Sequence, residues 1–203
     1  MLIRVTETNT ALWNKASEVS KLKYNSAYNA SIDPAPQYYV VVQNAKDRIL
    51  ACAGITFGEE GGLFSEQYLD KPIEAILRAR LGKELERSNI AEIGSLTSHH
   101  ATAGMILVNM IPMLAWCMGA HYLLCTVTPQ VIRMMEGCQI AFEPLEQADP
   151  DRLTEAKELW GSYYDRVPVT GFIRVDPKRS RFAAITVETV FTHTPLAKPK
   201  RIS

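Results

Sequence analysis

Asn89-Ile-Ala-Glu92-Ile-Gly94-Ser-Leu96-Thr-Ser-His99-His100-Ala-Thr102-Ala-Gly104 leads into an apolar segment that runs through Trp116 to Gly119, and a second short apolar run follows from His121 to Val127. In order, these are a strand, a turn, a helix and a strand. No Asp, Glu, Lys or Arg stands between Glu92 and Arg133, so the unit belongs either in a protein core or in a lipid bilayer. A spanning helix needs roughly 20 consecutive apolar residues, and 104–124 has about that length. Asn109, Pro112, Gly119 and His121 interrupt it, however, and no Lys or Arg flanks it closely enough to snorkel. Split into a helix over 101–118 and a strand over 121–127, each piece has ordinary length, and the helix is buried nearly all round. The core reading is preferred and no membrane span is expected. Pro112 should kink the helix or sit where the lost backbone bond is tolerated.

Upstream, Leu2 to Glu7 alternates like a half-buried strand, and Thr10 is a good N-cap for a helix to about Tyr28 with Lys15, Lys21 and Lys23 left for solvent. Asp33-Pro-Ala-Pro36 breaks any helix, and Tyr38 to Val42 with Arg48 to Phe57 predicts an antiparallel hairpin. Gly54 in its second strand marks a bulge or a close backbone approach. After Gly61-Gly62, Pro72 opens a helix over 73–85, inserted before the strand that carries Glu92. Downstream, Thr128-Pro129 starts a helix over 131–137, and 140–145 is a short strand. Asp149-Pro150 caps a further helix through Trp160-Gly161-Ser-Tyr163-Tyr164, 167–175 is extended, and 182–191 is a last β-like stretch before Lys198-Pro-Lys200-Arg201. The order predicts an α/β (α+β) fold, a mixed sheet flanked by helices, with the strands near Glu92 and Leu123 parallel.

The 203 residues balance 22 Lys plus Arg against 22 Asp plus Glu. Zero formal net charge provides no global field for nucleic acid. Cys52, Cys117, Cys125 and Cys138 are widely separated, without the close pairs of zinc sites, so no metal is expected and reduced thiols in a cytoplasmic protein are. Met1 to Glu7 lacks the features of a secretory signal. One domain over 1–175 is expected, followed by a C-terminal strand and basic tail over 176–203; that strand either completes the sheet or pairs with a second subunit in a homodimer.

Leu63-Phe-Ser-Glu66-Gln-Tyr68-Leu69-Asp70-Lys-Pro72-Ile-Glu74, Glu92-Ile-Gly94-Ser-Leu96, and Trp160-Gly161-Ser-Tyr163-Tyr164 with Pro168-Val169 form three separated blocks. In this order they make the chain resemble the thermostable hemolysin family over roughly residues 10–175. That family looks like a branch of the GNAT acyltransferase superfold, and its inserted helix before the central strand is similar to that of the acyl-homoserine-lactone synthases. The family name implies cell lysis and the fold implies acyl transfer. A GNAT-like fold implies no tightly bound cofactor but an acyl-CoA or acyl-phosphopantetheine co-substrate, the latter on an acyl carrier protein, and a small-molecule amine acceptor. It implies that backbone N–H groups near Ser95, Leu96 and Thr97 hold the thioester carbonyl. It also implies that the turn His99-His100-Ala101-Thr102-Ala103-Gly104, at a helix N-terminus, holds a phosphate. That turn departs from the superfold's basic, glycine-rich pattern, with Gly104 its clear survivor and His100 left to supply side-chain charge.

Individual residues admit two readings each. Glu92, in a buried strand, is a general base with a raised pKa or a carboxylate paired with an arginine or backbone groups. Glu66 is an alternative base or the cap of the helix at Pro72. Gln67 and Tyr68 are candidates for binding the acceptor head group, as are Trp160 and Tyr164. Tyr163 is a candidate acid for the leaving thiolate or a packing residue with a hydrogen-bonded tip. His99 and His100 are adjacent, so they point apart and do not suit one metal. Cys125 lies on an apolar strand that renders its thiol inert. Three functions stay open: transfer of an acyl group from a thioester to an amine, a membrane-active hemolysin, and a non-catalytic acyl-CoA-binding domain.

Overall fold

The computed structural model of the chain describes residues 1–154 and 156–175. Among these residues seven strands form one sheet: β1 (Leu2–Glu7), β2 (Tyr38–Gln43), β3 (Ile49–Phe57), β4 (Ile90–Ser98), β5 (Tyr122–Val127), β6 (Phe142–Gln147) and β7 (Val169–Arg174). Their spatial order is β1-β2-β3-β4-β5-β7-β6. Every neighbouring pair is antiparallel except β4 and β5, which run parallel as the charge-free stretch predicts. The helix joining these two, α3 (Ala101–Cys117), is the crossover that a parallel pair requires.

Three more helices complete the layers: α1 (Ala11–Tyr28), α2 (Ile73–Leu81) and α4 (Pro129–Gly137). Thr10 caps α1 by accepting from the Trp13 N–H at 3.2 Å. Gly82, at φ 64°, ends α2 four residues earlier than its periodicity predicts. Alternation along the strands divides the core. Val40, Ala53, Ala91, Leu123 and Cys125 pack against α3 and α4, while Ile90, Tyr122, Leu124 and Phe172 pack against α2. Tyr39, Val41 and Cys52 meet α1 on the α2 side. Leu107, Met110, Leu114 and Ala115 of α3 are fully or almost fully buried in that core. The helix runs unbroken through Pro112. No helix of the described residues is long and apolar enough to cross a membrane.

One predicted helix is absent. The segment after Asp149 forms separate 3-10 turns at Pro150–Arg152 and Lys157–Trp160. Its polar groups bond sideways instead: Arg152 Nη2 donates to Leu69 O at 2.7 Å, and the Thr154 N–H donates to Gln67 Oε1 at 2.8 Å. The second of these takes a backbone donor away from any helical acceptor, and the first anchors the segment to the turn before α2. The β-like stretch expected at 182–191 and the basic tail lie outside the described residues.

Candidate active site

β4 holds the pattern of hydrogen bonds that makes the site. It pairs with β5 only from Ile90↔Tyr122 to Glu92↔Leu124, and beyond that point the two strands have no pairing with each other. On its other edge β4 stays with β3, but Cys52 faces Thr97 while Gly54 faces Gly94, so β4 carries one extra residue there. Ser95 takes it up at φ 53°, a left-handed conformation uncommon outside glycine. The bulge also changes parity: Glu92 before it and Thr97 after it point to the same face of the sheet. Gly54, opposite the bulge, is there for the approach predicted from sequence, since a Cβ at this position would lie 2.7 Å from Pro36 Cβ and Cγ.

A cleft of about 350 Å³ opens over this break, with Glu92, Gly94 and Ser95 on its floor. Its walls come from Tyr24 of α1, Asp33 to Pro36, Phe64, Ser65, Tyr68, Thr126, Trp160 and Tyr163. Glu92 is 7% exposed. Its Oε1 accepts from the Ser65 N–H at 2.9 Å and from Ser65 Oγ at 2.5 Å. Burial pushes its carboxyl up to about 7, against the opposing pull of the Ser65 hydrogen bonds. Ser65 Oγ in turn accepts from Thr126 Oγ1 at 2.8 Å, and Thr126 Oγ1 lies 2.8 Å from the buried Thr170 Oγ1. With Ser65 donating to Glu92 and Thr126 to Ser65, the remaining hydrogen comes from Thr170. Three hydroxyls thus line up behind one carboxylate oxygen.

The aromatic wall is held by Trp160-Gly161-Ser162-Tyr163-Tyr164. Ser31 N–H donates to Leu159 O at 2.6 Å and Ser162 N–H to Tyr28 O at 2.8 Å, which fastens this segment to the end of α1. Gly161, at φ 52°, allows the approach: a Cβ there would stand 2.0 Å from Tyr28 O. Trp160 then lies 5.3 Å from the Phe64 ring and 5.4 Å from the Tyr163 ring, centroid to centroid. Tyr163 Oη donates to Thr126 O at 3.3 Å, and burial raises its phenol well above the ordinary range. Tyr68 and Tyr164 share a hydrogen bond of 2.5 Å between their hydroxyls.

Of the residues singled out from sequence, Glu92, Tyr68, Trp160, Tyr163 and Ser95 meet in this cleft. Gln67 does not line it, because it ties the Phe64–Tyr68 turn to Thr154. Glu66 faces a separate open groove of about 600 Å³ beside Arg87 and Glu74. There its oxygens accept from the Leu63 and Ile73 N–H groups and from Arg87 Nη1 and Nη2, at 2.5 to 3.0 Å. Burial alone would raise its carboxyl, but the Arg87 guanidinium and the two backbone donors outweigh burial and hold it below the ordinary carboxylate range. Glu66, Glu74 and Arg87 in that groove are engaged with one another, whereas the Glu92 carboxyl in the smaller cleft faces no cation among the described residues that line it.

At the far end of β4, His99 and His100 are exposed. Gly104 N–H donates to His100 O at 3.0 Å, the first bond of α3, so the N–H groups of Ala101, Thr102 and Ala103 have no intrahelical acceptor. Gly104 is required because a Cβ would sit 2.9 Å from Ser98 Oγ. Leu96 turns toward the α3 side of the sheet. Cys125 and Cys52 are both buried, with burial raising their thiols to about 12 and about 11. Ser65, Thr126, Tyr24 and Asp33 were not legible as site residues. Ser65 is overshadowed in the sequence by its charged neighbour Glu66, and the others reach the cleft only through tertiary structure.

A parallel pair that parts beside a bulge, with a helix N-terminus beyond, defines a GNAT-like α/β fold. The chain belongs to the thermostable hemolysin family, whose model matches residues 6–178. Solved structures share the fold at low identity. The AHL synthase LasI is 10% identical, with 93% of this chain and 98% of that chain covered and a TM-score of 0.58. FeeM, an N-acyl amino acid synthase from uncultured soil microbes, is 15% identical, with 89% and 98% covered and a TM-score of 0.57. The CoA-dependent acyl-homoserine lactone synthase BjaI, solved with SAM and isopentyl-CoA, is 9% identical, with 87% and 84% covered and a TM-score of 0.58. A search of the curated proteins finds no match.

Proposed function

We propose that this chain is an N-acyltransferase that moves an acyl group from a thioester, on coenzyme A or an acyl carrier protein, to an amine. The observation that carries the reading is Glu92, a buried carboxyl near neutrality on the cleft floor, two residues before the β4 bulge and at the last rung of the β4–β5 pair. A base poised near the working pH suits removal of a proton from an ammonium. Backbone N–H groups of the parted strand around Ser95 and Leu96, with Thr97 behind them, support the thioester carbonyl and its oxyanion. The first turn of α3, with His99 and His100 beside it, supports the donor's phosphate through its unpaired N–H groups and the helix dipole. The separation of the strands, the carboxyl and the helix end along β4 matches the order in which acceptor, reacting carbonyl and donor phosphate must lie.

In this scheme Glu92 takes one proton from the acceptor ammonium and the free amine attacks the carbonyl carbon. The C–N bond forms as the C–S bond breaks. The second proton leaving nitrogen goes to the departing thiolate, so an ammonium and a thioester give an amide, a thiol and a protonated Glu92. Ser65 positions the Glu92 carboxylate. Glu66 is assigned to holding the start of α2, and Tyr163 to the wall, since its raised phenol is a poor acid for a thiolate. The membrane reading has no such support: exposing α3 would strip the main core of one layer.

Calorimetry and native mass spectrometry with a panel of acyl-coenzyme A and acyl-carrier-protein donors test the proposal. Saturable binding of at least one donor is expected. Absence of binding by every donor, to folded protein, overturns it.

A further inference from the structure

Every charged side chain that lines the cleft among the described residues is acidic. Asp33 and Glu92 are there, and no Lys, Arg or His is. Asp33 stands at the mouth, 82% exposed at its side chain, and already pairs with Lys21 Nζ at 2.7 Å. The deep end is left with Glu92 and five rings, Tyr24, Phe64, Tyr68, Trp160 and Tyr163. The two cleft phenols with the most buried positions are spent on protein partners, Tyr68 on the Tyr164 hydroxyl and Tyr163 on the Thr126 carbonyl. Such a surface treats the two ends of an amino acid very differently. An ammonium finds the negative faces of the rings and a carboxylate to receive its proton. A carboxylate finds a second carboxylate and ring faces of its own sign. Among the described residues the lining offers it no cation, the Lys21 ammonium at the mouth being held by Asp33, and only neutral donors such as the unpartnered Trp160 indole N–H, which compensate its desolvation poorly.

We propose that the acceptor is an organic amine without a carboxylate, bound as its ammonium against the Trp160 wall with its nitrogen directed to Glu92. The proposal rests on the acyl-transfer reading for its chemistry but not for its binding. It names an acceptor class: arylalkyl and alkyl monoamines, the decarboxylated counterparts of apolar and aromatic amino acids. The ring wall favours an apolar or aromatic body on the amine, because Phe64 and Trp160 offer flat faces tilted by 35° to each other.

Matched pairs isolate the carboxylate. Phenethylamine against phenylalanine and tyramine against tyrosine are titrated by calorimetry into the full chain, and each is then used as acceptor with whichever acyl donor the protein binds. The amine of each pair is expected to bind at least tenfold more tightly and to be acylated with at least tenfold higher kcat/KM. Trp160→Leu is expected to weaken amine binding about tenfold while leaving donor binding unchanged. Equal or tighter binding of the amino acids overturns the proposal, as does failure of both amines to bind folded protein. Preferential acylation of the amino acids overturns it while leaving acyl transfer standing, whereas amine binding without any transfer upholds it and sinks the catalytic reading.

Discussion

Ser65 presents both its N–H and its hydroxyl to one oxygen of Glu92, at 2.9 and 2.5 Å. The serine sits in the turn before the inserted α2, and the glutamate sits in the middle of the sheet. This contact joins the two parts of the fold at the point where β4 and β5 part. It holds the carboxylate in one orientation while burial keeps its proton affinity near neutral.

Ser65→Ala removes the hydroxyl donor and leaves the N–H. Both Ser65 bonds lower the Glu92 pKa, so losing one raises it further. The pH profile of kcat/KM is expected to move alkaline by about one to two units, the size of a hydrogen bond to a charged group. A Thr126→Val change, one bond further back, is expected to move it less. An unmoved profile in both variants contradicts a positioning role for the hydroxyl row.

Stability carries the same signature. Glu92 holds its proton in the fold up to about pH 7, but releases it near 4.3 when unfolded, by its ordinary value of about that size. The fold is therefore free of any charge-burial penalty in acid, loses stability as pH rises from about 4 through about 7, and reaches a constant penalty above. The full penalty is on the order of 3 kcal/mol. Glu92→Gln, which retains an acceptor for Ser65, is expected to melt at a higher temperature than the unmodified chain at pH 8, and the gap should shrink at pH 5. Urea titrations at the two pH values measure it. A variant less stable at pH 8 by the same margin as at pH 5 contradicts the assignment.

Glu66 has the opposite sign. Its carboxyl is held below the ordinary value by Arg87 and two backbone donors, so its contribution is present at neutral pH and lost as acidification passes through that lowered pKa. Arg87→Met leaves Glu66 and Glu74 without their cation. Because the groove is open and solvent screens part of the interaction, the expected loss is on the order of 1–3 kcal/mol by chemical denaturation. The midpoint of the activity profile should move little, since the Glu66 charge is the smallest of the named influences on the Glu92 carboxyl.

Gly161→Ala places a methyl group within 2.0 Å of Tyr28 O at a backbone angle that alanine resists. The segment carrying Trp160 and Tyr163 must then lift from α1. Destabilisation of roughly 1–3 kcal/mol is expected, with a raised KM for the acceptor and a smaller change in kcat. A Gly137→Ala control at the end of α4, away from the cleft and with nothing within 4 Å of the added carbon, should show neither effect.

Much of this fold was legible because charge and period agreed. The stretch without Asp, Glu, Lys or Arg fits core better than bilayer because of its interruptions and flanks, and its strand, turn, helix and strand pattern points to a parallel β4–α3–β5 unit. Glu92 stood out as the last charge before it. The segment after Asp149 was less legible: its polar residues fit a helix locally, and only contacts with Leu69 and Gln67, distant in sequence, divert them into 3-10 turns. Glu66 and Glu92 looked alike as sequence, and burial alone acts the same way on both. What separates them is Arg87, which lies 21 residues from Glu66 and carries no mark of that partnership. Ser65, Thr126 and Thr170 are ordinary hydroxyl residues until three elements bring them into one row.

Acyl-amide formation by the purified chain, followed by mass spectrometry at pH 8 with a donor it binds and phenethylamine as acceptor, tests the central claim most directly when Glu92→Gln and Glu66→Gln are run in parallel. Loss of a general base predicts a fall in kcat of about 10² to 10⁴ for Glu92→Gln, with Glu66→Gln within about tenfold of the unmodified chain while it remains folded. Wild-type turnover by folded Glu92→Gln contradicts the account.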